Sequence, residues 1–546
     1  MSDPAGSGAP PSAPQGRETD SGLPLRPVYG PADAPTGEYA ERLGDPGTYP
    51  FTRGRRPAGA DGGWIQRELS GEGDPGRSND QFRYLIAHGA TGLDVIGDTP
   101  TMAWMDPDHP VSAPAVGTQG VSLCCLQDWL DLYDGLPLDR LSLSHSVPAA
   151  FAMAGLYLTA RRRGVDPALL RGSVVQAPFY CEDCGYATHM PFELRVRLAV
   201  DSIEFASRAM PRFHAFLEDT YYISDGGLDA VEEMALGFVE IRHLVRELVR
   251  RQVPVDGFAP RIAILVNFRM DFFEEIAKIR AARRLYARMM REEFGAADPR
   301  AWAVNIAAHT SGLTLTAQQP VNNVVRGATQ ALGLVLAGVQ GIEVSTFDEA
   351  FRTPSPEAHL VALRTQQVIA LETGVTRVAD PLGGSWYLES LTAELEHRIR
   401  EMIERIEAMG PPERLCDGKW FRALFLDAME RRAHQLNAGR LVQVGVNAQQ
   451  MPEAEDTLLR DVTERKIAPA APRIERLRAL RRERDAGLVA TALRAVCGAA
   501  EDRAAHLMPP LIAATEAGTT IGEMAGALRA GYGRPPDPFG MVPLPW

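Results

Sequence analysis

Cysteine is scarce in this sequence: six cysteines among 546 residues are too few for a scaffold held together by disulfides. No apolar signal-peptide core follows the N-terminus. No run approaches the roughly 18 uninterrupted apolar residues that a membrane span needs. We therefore expect a cytoplasmic protein without membrane-spanning segments.

An excess of positive charge is also missing. The formal net charge of −13 at pH 7 argues against general nucleic-acid binding, which depends on a basic field. The one basic run, residues 473–484, is interleaved with Glu475, Glu483 and Asp485, which favours a solvated helix face or a partner-protein surface. The sequence contains no HExxH motif, so zinc peptidases have little support.

The composition that is present, 45% apolar and 23% charged, is typical of a globular protein with a large core. Residues 1–40 are rich in Pro, Gly, Ser and Ala, which predicts a flexible N-terminal arm. We expect a barrel domain over 41–409 and a helical accessory region over 410–546, with "GPPE" at the boundary.

Short β-type runs alternate with helical patterns such as 270–290 and 322–339. Eight strand–helix units predict an α/β fold of the (β/α)₈ TIM-barrel class. Leu388, Leu391, Leu395, Ile399, Met402 and Ile406 recur at helical spacing and predict the buried stripe of the last barrel helix. The predicted strands are 91–98, 141–146, 172–178, 212–219, 261–268, 301–311, 341–348 and 377–385.

Functional groups of such barrels come from the carboxyl ends of the strands. Neutral hydroxyl, amide and phenol groups outnumber acids at these ends, and no Ser/His/Asp order typical of hydrolases is present, which favours neutral or radical chemistry. The residues are Asp98, Ser144, Ser146, Gln176, Tyr221, Tyr222, Asn267, His309, Ser311, Glu349 and Asp380.

Several stretches resemble the large subunit of the coenzyme B12-dependent acyl-CoA mutases, the family of methylmalonyl-CoA and isobutyryl-CoA mutases. The resemblance covers residues 40–535 and is strong from 255 onward. It is carried by "YPFTRG" (49–54), "FAPRIAILVNFRMDFFEEIAKIRAARRLYA" (258–287), "HTSGLTLTAQQPVNNVVR" (309–326), "STFDEA" (345–350), "LRTQQVIALETGVTRVADPLGGSWYLE" (363–389) and "HLMPPLIAATEAGTTIGE" (506–523).

This resemblance implies a barrel that threads an acyl thioester along its axis beneath adenosylcobalamin. Cobalt–carbon homolysis would generate a 5′-deoxyadenosyl radical that starts a 1,2-rearrangement of the acyl group. The chain lacks the DxHxxG motif of a cobalt ligand, and "DPDHPV" (106–111) does not match it. Adenosylcobalamin would therefore arrive on a small cobalamin-binding subunit, in a heterotetramer or beside a homodimer of large subunits.

The resemblance also implies roles for individual residues. Tyr221, Tyr222 and Gln176 would be catalytic. The cofactor-binding residues would be Gly97, Asp98, Tyr221, Asp225, Gly312, Leu313, Glu349 and Ala350. The substrate-binding residues would be Ser142, Ser144, Ser146, Gly185, Arg261, His309 and Gln340, with no metal ligands.

The pocket departs from the family pattern at several positions. Tyr222 stands where the family has a His, and Gly185 where it has an Arg for the malonyl carboxylate, so a substrate without that carboxylate is expected. The loop "RRPAGADGG" (55–63) lacks the family's CoA-grasping residues, so a carrier-protein thioester is an alternative to acyl-CoA. A catalytically altered barrel that acts in binding or assembly is the alternative function.

The pair Cys181 and Cys184, with His189 nearby, is compatible with a metal site, a redox dithiol or ordinary loop cysteines. Cys124 and Cys125 complete a metal site only if the fold brings them close. Ordinary cysteines are the favoured interpretation.

Overall fold

A computed structural model describes residues 18–57, 63–184, 187–456 and 468–546. Nine strand segments form one parallel sheet in the order β1-β9-β8-β7-β6-β5-β4-β3-β2. They are β1 (Ile65–Arg67), β2 (Leu69–Ser70), β3 (Gly92–Ile96), β4 (Ser142–Ser146), β5 (Arg171–Gln176), β6 (Phe213–Asp219), β7 (Ile262–Phe268), β8 (Asn305–Thr310) and β9 (Gly341–Glu343).

The first two segments close this sheet into a barrel. Only Glu68 separates β1 from β2, so the two are halves of one bent strand. Arg67 in β1 pairs with Glu343 in β9, whereas Leu69 in β2 pairs with Asp94 in β3. Because the two halves bond to opposite edges, the chain forms an eight-stranded parallel barrel, and the predicted (β/α)₈ fold is confirmed.

Seven of the eight predicted strands are present, and the eighth, 377–385, is wrong. A 3₁₀ turn (Val375–Arg377) and a Pro/Gly-rich loop occupy that stretch, and Asp380 there has a positive φ of 43°. Its carboxylate binds Arg53 and Arg280 at 3.0 and 2.8 Å instead of pointing into the barrel. The true first strand, 65–70, escapes detection because each half is too short to show a strand period.

Eight helices follow the eight strands: α1 (Pro75–Ala87), α2 (Leu126–Leu132), α3 (Ala149–Arg162), α4 (Phe192–Ala209), α5 (Ala230–Arg250), α6 (Phe272–Arg288), α7 (Asn322–Ala337) and α8 (Pro356–Glu372). Further helices are α9 (Trp386–Ala408), α10 (Trp420–Asn437), α11 (Ala471–Glu483), α12 (Ala486–Glu501), α13 (Met508–Glu516) and α14 (Ile521–Gly531). Short helices span Tyr39–Arg42, Thr99–Met102, Cys181–Cys184, Thr220–Asp225, Val255–Phe258, Pro299–Trp302 and Pro412–Asp417.

Helix α9 has the predicted buried stripe but not the predicted place. All six stripe residues are buried. The helix packs on the outer faces of α5 and α6, while α8 is the last helix of the barrel ring, between α7 and α1. The stripe therefore packs against the outside of the helix ring. Helical spacing predicts that such a face is buried, but not whether the helix belongs to the ring or lies outside it.

The basic run of 473–484 fastens α11 to the barrel, which corrects the expectation of a solvated face. Arg473 is buried and its guanidinium donates to Asp128 and to Cys124 Sγ. Arg481 pairs with Asp106 and Asp108. Two arginines of this helix thus bind acids from loops and a helix of the barrel.

The N-terminal residues from 18 onward lie against α6. The backbone N–H of Asp20 donates to Asp271 at 3.0 Å, and that of Ser21 to Glu274 at 3.2 Å. Residues 1–17, the rest of the predicted arm, lie outside the described residues. None of the helices in the described ranges is long and apolar enough to cross a membrane.

Candidate functional site

The barrel interior is lined by small residues, which leaves a channel along its axis. TIM barrels usually fill this space with branched side chains. Here Ser142, Ser173, Ala263, Ala307 and Gly341 line a cavity of about 510 Å³ that opens at the amino ends of the strands. The barrel therefore has room for an extended ligand.

Four arginines surround the mouth of this channel, one just before or at the start of each of four consecutive strands. Arg140, Arg171, Arg212 and Arg261 all line the cavity. None of these guanidinium groups forms an ion pair with a carboxylate among the described residues. Burial lowers the pKa of Arg261, and the positive charge of Arg212 lowers it further. An uncompensated positive ring of this kind favours phosphate groups.

Three of the predicted substrate residues lie at this mouth. Arg261 donates from Nε to the carbonyl of Pro211 at 2.9 Å, and Ser142 lines the cavity. Gln340 also lines it, but its amide is bound to the backbone, accepting from Ile306 N–H and donating to Gly338 C=O, both at 2.9 Å. These residues therefore border the entrance and not the reacting end of the channel.

The other two predicted serines lie deeper in the barrel wall. Ser144 and Ser173 share a hydrogen bond of 2.8 Å between their hydroxyl groups. Ser146 Oγ lies 3.5 Å from Asp94 Oδ1. The serines of β4 thus follow the channel from the mouth toward the carboxyl end.

At the carboxyl end, Tyr221, Asp225 and Glu349 surround Gly312. A Cβ at position 312 would lie 3.2 Å from the Tyr221 hydroxyl and from Asp225 Oδ2, and 3.3 Å from Glu349 Oε1. Asp225 is fixed by Asn267 Nδ2 at 2.6 Å and Ser311 Oγ at 3.0 Å. The structure therefore brings together four of the predicted cofactor residues, which are Gly312 and the three side chains around it.

Burial raises the pKa of each acidic group in this cradle. Burial raises the pKa of Glu349 to about 7. Burial, with the nearby Asp225 carboxylate, raises the pKa of Tyr221 well above its usual value. The Tyr221 phenol is thus a neutral hydrogen-bond donor, and Glu349 titrates near neutral pH.

The remaining predicted cofactor residues either lie next to this cradle or make packing and capping contacts. Leu313 follows Gly312 in a 3₁₀ turn, and Ala350 is exposed next to Glu349. A Cβ at Gly97 would lie 2.8 Å from Val147, so this glycine permits close packing. The buried carboxylate of Asp98 accepts from the N–H groups of Thr101 and Gly117 at 2.9 and 2.8 Å, which is a helix-capping role.

Two predicted catalytic residues lie beside the axis, not on it. The Gln176 amide donates to Ser202 Oγ and to Ala215 C=O, both at 2.9 Å. Tyr222 lines a separate cavity of about 130 Å³ that also contains Val175 and Gln176. Tyr221, by contrast, packs against His309 with ring centroids 4.7 Å apart.

Sequence reasoning missed three of the four charged side chains on the barrel axis. His309 Nε2 lies 2.7 Å from Glu343 Oε2 and 3.9 Å from Asp94 Oδ2. Arg67 Nη1 lies 3.6 Å from Glu343 and 4.0 Å from Asp94. The available signal was a single charge at an inward position of each buried strand, in "IQR", "GLDVI" and "GIE".

These four groups set one another's charge. Burial lowers the pKa of His309, but Glu343 and Asp94 raise it well above its usual value. Burial raises the pKa of Asp94, but the neighbouring positive groups His309 and Arg67 hold it below its usual range. Burial raises the pKa of Glu343 to about 7. At neutral pH the axis therefore carries an imidazolium, a guanidinium and an ionised Asp94.

Of the pair Cys181 and Cys184, only the Cys181 side chain lies within the described residues. Burial raises the pKa of the Cys181 thiol to about 11, and its sulfur lies 3.6 Å from Arg195. His189 is exposed, with its ring against Phe539. Gly185 and the Cys184 side chain lie outside the described residues.

Cys124 and Cys125 lie at a different place, next to Asp128. The three could hold a metal ion by distance. The Arg473 guanidinium already occupies this position, at 2.7 Å from Cys124 Sγ and bonded to Asp128. His109, in "DPDHPV", pairs with Asp537 at 3.2 Å.

Comparison with known proteins gives a consistent result. Residues 18–534 match the family model described as methylmalonyl-CoA mutase. The chain is 35% identical over 528 residues to the 2-hydroxyisobutanoyl-CoA mutase large subunit of Aquincola tertiaricarbonis, covering 95% of this chain and 93% of that protein. It is 33% identical over 520 residues to the methylmalonyl-CoA mutase of Cereibacter sphaeroides (94% and 72% covered) and 30% identical over 520 residues to that of Escherichia coli (95% and 72%).

Proposed function

Because this chain belongs to the methylmalonyl-CoA mutase family, we propose that it is the large subunit of an adenosylcobalamin-dependent acyl-CoA mutase. The observation that carries the proposal is the axial channel, which leads from four arginines without a carboxylate partner among the described residues toward the cradle around Gly312 at the other end. This arrangement suits a thioester whose phosphates stay at the mouth while its acyl group reaches the cofactor side.

The residues at the carboxyl end fit the cofactor. Any side chain at position 312 would press on Tyr221, Asp225 and Glu349, so the glycine keeps this surface open for a flat ligand. Tyr221, Asp225, Gly312, Leu313, Glu349 and Ala350 would hold adenosylcobalamin. When bound, the cofactor supplies the radical that starts the rearrangement.

The chain itself contributes enclosure and hydrogen bonds. The walls formed by Leu217, Ala263, Leu265 and Ala307 exclude water from the axis. The neutral Tyr221 phenol donates toward Asp225, which is also held by Asn267 and Ser311. These fixed groups orient the ligands at the carboxyl end of the barrel.

The substrate and partner follow from the same site. We propose an acyl-CoA without a malonyl-type carboxylate, and a separate small cobalamin-binding subunit that covers the carboxyl face. Both ring nitrogens of His109 already have partners, Nε2 with Asp537 at 3.2 Å and Nδ1 with the N–H of Val111 at 3.3 Å, so neither is available to cobalt in this arrangement. The name of the Aquincola relative, a large subunit, is consistent with a two-subunit enzyme. We place the enzyme in the cytoplasm.

A binding experiment tests the CoA assignment against the carrier-protein alternative. Acyl-CoA and the matching acyl-pantetheine differ by the nucleotide and its phosphates, so the arginine ring should favour acyl-CoA roughly 10- to 100-fold by calorimetry. The double variant Arg171→Ala/Arg261→Ala should lose this preference, whereas the exposed Arg478→Ala should keep it. Equal affinities in the unaltered protein would reject CoA in favour of a carrier-bound thioester.

A further inference from the structure

Four buried charges meet on the barrel axis, beyond the inner wall of the channel: Arg67, Asp94, His309 and Glu343. Each is at least nine-tenths buried, with exposed fractions of 5, 1, 4 and 2%. Arg67 also lines the channel cavity, so the cluster adjoins the space that we assign to the thioester. This placement raises the question of which group on the acyl chain the cluster would contact.

Arg67 has buried donors without acceptors. Its Nε and Nη1 atoms are inaccessible and have no hydrogen-bond partner in the described part of the chain. The nearest carboxylates, Glu343 and Asp94, stand 3.6 and 4.0 Å from Nη1, beyond the normal range of 2.7–3.2 Å. A buried guanidinium with unmet N–H groups is a strong site for an oxygen acceptor.

Asp94 complements Arg67, because it is a buried acceptor without close donors. A carboxylate oxygen of Glu343 lies within 4.8 Å of it but has no proton to donate when ionised. The Ser146 hydroxyl, His309 Nε2 and Arg67 Nη1 stand 3.5, 3.9 and 4.0 Å from its oxygens. The carboxylate thus retains capacity to accept a donor of normal length from a ligand between it and Arg67.

We propose that Arg67 and Asp94 form a subsite for a hydroxyl group on the acyl chain of the substrate. A hydroxyl oxygen accepts a hydrogen bond from the guanidinium while its proton is donated to the carboxylate, so one group satisfies both partners. His309, which is paired with Glu343 at 2.7 Å, is a positioning residue, because its positive charge keeps the nearby Asp94 ionised. This inference rests on the proposed mutase function and narrows its substrate class to hydroxyacyl thioesters.

Other acyl groups fit the pair less well. A plain hydrocarbon would leave both Arg67 and Asp94 without partners in a buried site. A carboxylate has no proton to give Asp94 at neutral pH, and an ammonium has no lone pair for Arg67. A metal ion, which the spacing of Asp94, His309 and Glu343 would allow, competes with the guanidinium and the imidazolium for the same carboxylates.

The test compares esters that differ by one oxygen. Butanoyl-CoA, 2-hydroxybutanoyl-CoA and 3-hydroxybutanoyl-CoA are titrated calorimetrically into the full chain. At least one hydroxyacyl ester should bind roughly 10- to 100-fold more tightly than butanoyl-CoA. This ratio should fall toward one in Asp94→Ala and in Arg67→Met, and stay unchanged in Asp134→Ala, whose carboxylate is 84% exposed.

A second variant keeps the test valid if the Asp94→Ala protein does not fold. Asp94→Ala/His309→Gln removes one negative and one positive charge together, so the net charge of the axis is unchanged. This variant should show the same loss of preference. Equal binding of all three esters by the unaltered chain would overturn the hydroxyl subsite and leave the mutase proposal standing. Binding of none would contradict the mutase proposal and the subsite with it.

Discussion

Glu349 shows how burial at a ligand-binding surface is linked to stability. Its carboxyl group lies against Gly312 in the cradle and accepts from the N–H of Thr346 at 3.2 Å. Burial raises its pKa to about 7. The folded chain therefore retains this proton at pH values where the unfolded chain, with an ordinary glutamate pKa of about 4.3, has released it.

The variant Glu349→Gln should remove this pH dependence. Because the folded-state pKa is raised, the stability contribution of Glu349 becomes less favourable as the pH rises from about 4.3 to 7, and is constant above. The stability of the variant relative to the unaltered protein should therefore increase by about 2 kcal/mol between pH 5 and pH 8. Urea unfolding at both pH values measures this difference.

The matched control is Glu475→Gln, whose side chain is 67% exposed. It should show no such change between the two pH values. A Glu349→Gln protein with the same pH dependence as the unaltered chain would contradict a raised pKa at this position.

Gly312 supports a second prediction at the same scale. The substitution Gly312→Leu places a side chain against Tyr221, Asp225 and Glu349, where even a Cβ lies within 3.3 Å of three polar atoms. Adenosylcobalamin affinity of the assembled enzyme should fall at least tenfold while thioester binding to the large subunit persists. Gly498→Leu, at a helix site with no neighbour within 4 Å of a Cβ, is the control. Unchanged cofactor affinity in Gly312→Leu would remove Gly312 from the cofactor surface.

Among the elements, α11 is attached to the barrel in part through the buried side chain of Arg473. Arg473 joins this helix to Asp128 of α2 and to Cys124. Arg476, one turn along, forms a pair with Asp131 in which the arginine is 48% exposed. The two pairs thus compare a buried and an exposed contact within one helix.

Arg473→Met should therefore destabilise the protein by about 3–5 kcal/mol, because it leaves Asp128 charged and buried without its cation. Arg476→Met should cost less than about 1 kcal/mol, since exposed pairs contribute little. Urea unfolding measures both losses, and limited proteolysis should cut the Arg473→Met protein first within residues 468–546. Equal losses in the two variants would show that the buried pair does not anchor the helix.

The elements also show what the sequence predicts and what it does not. Seven strands were predictable because each lies in a short β-type run that alternates with a clear helical pattern. The first strand was missed because Glu68 splits it into segments of three and two residues. Run 377–385 has strand-like ends, but its Pro and Gly residues and the ion pairs of Asp380 make it a loop.

At the site, motif-bearing residues were easier to predict than pocket residues. Tyr221, Asp225, Gly312 and Glu349 occur in recognisable stretches and lie together. Arg67, Asp94 and Glu343 come from three separate strands, and only the closure of the barrel places them next to His309. Such a cluster depends on register across the sheet, which a single sequence does not reveal.

As a whole, the molecule is a barrel whose two ends differ in chemistry. Four arginines surround the amino end, and neutral or weakly acidic groups surround Gly312 at the carboxyl end. The axis between them is lined by small residues. The charged cluster of Arg67, Asp94, His309 and Glu343 lies on this axis. This polarity matches a thioester that enters from one side and a cofactor that covers the other.

The most direct test of this account is reconstitution of the enzyme. The chain is mixed with a small cobalamin-binding mutase subunit, adenosylcobalamin and a hydroxyacyl-CoA, and the acyl products are identified by mass spectrometry. The account predicts a complex of the two subunits and an isomerised acyl-CoA that forms only when both subunits and the cofactor are present. A chain that binds acyl-CoA and the small subunit but never yields an isomer would contradict it, and would favour a binding or assembly role instead.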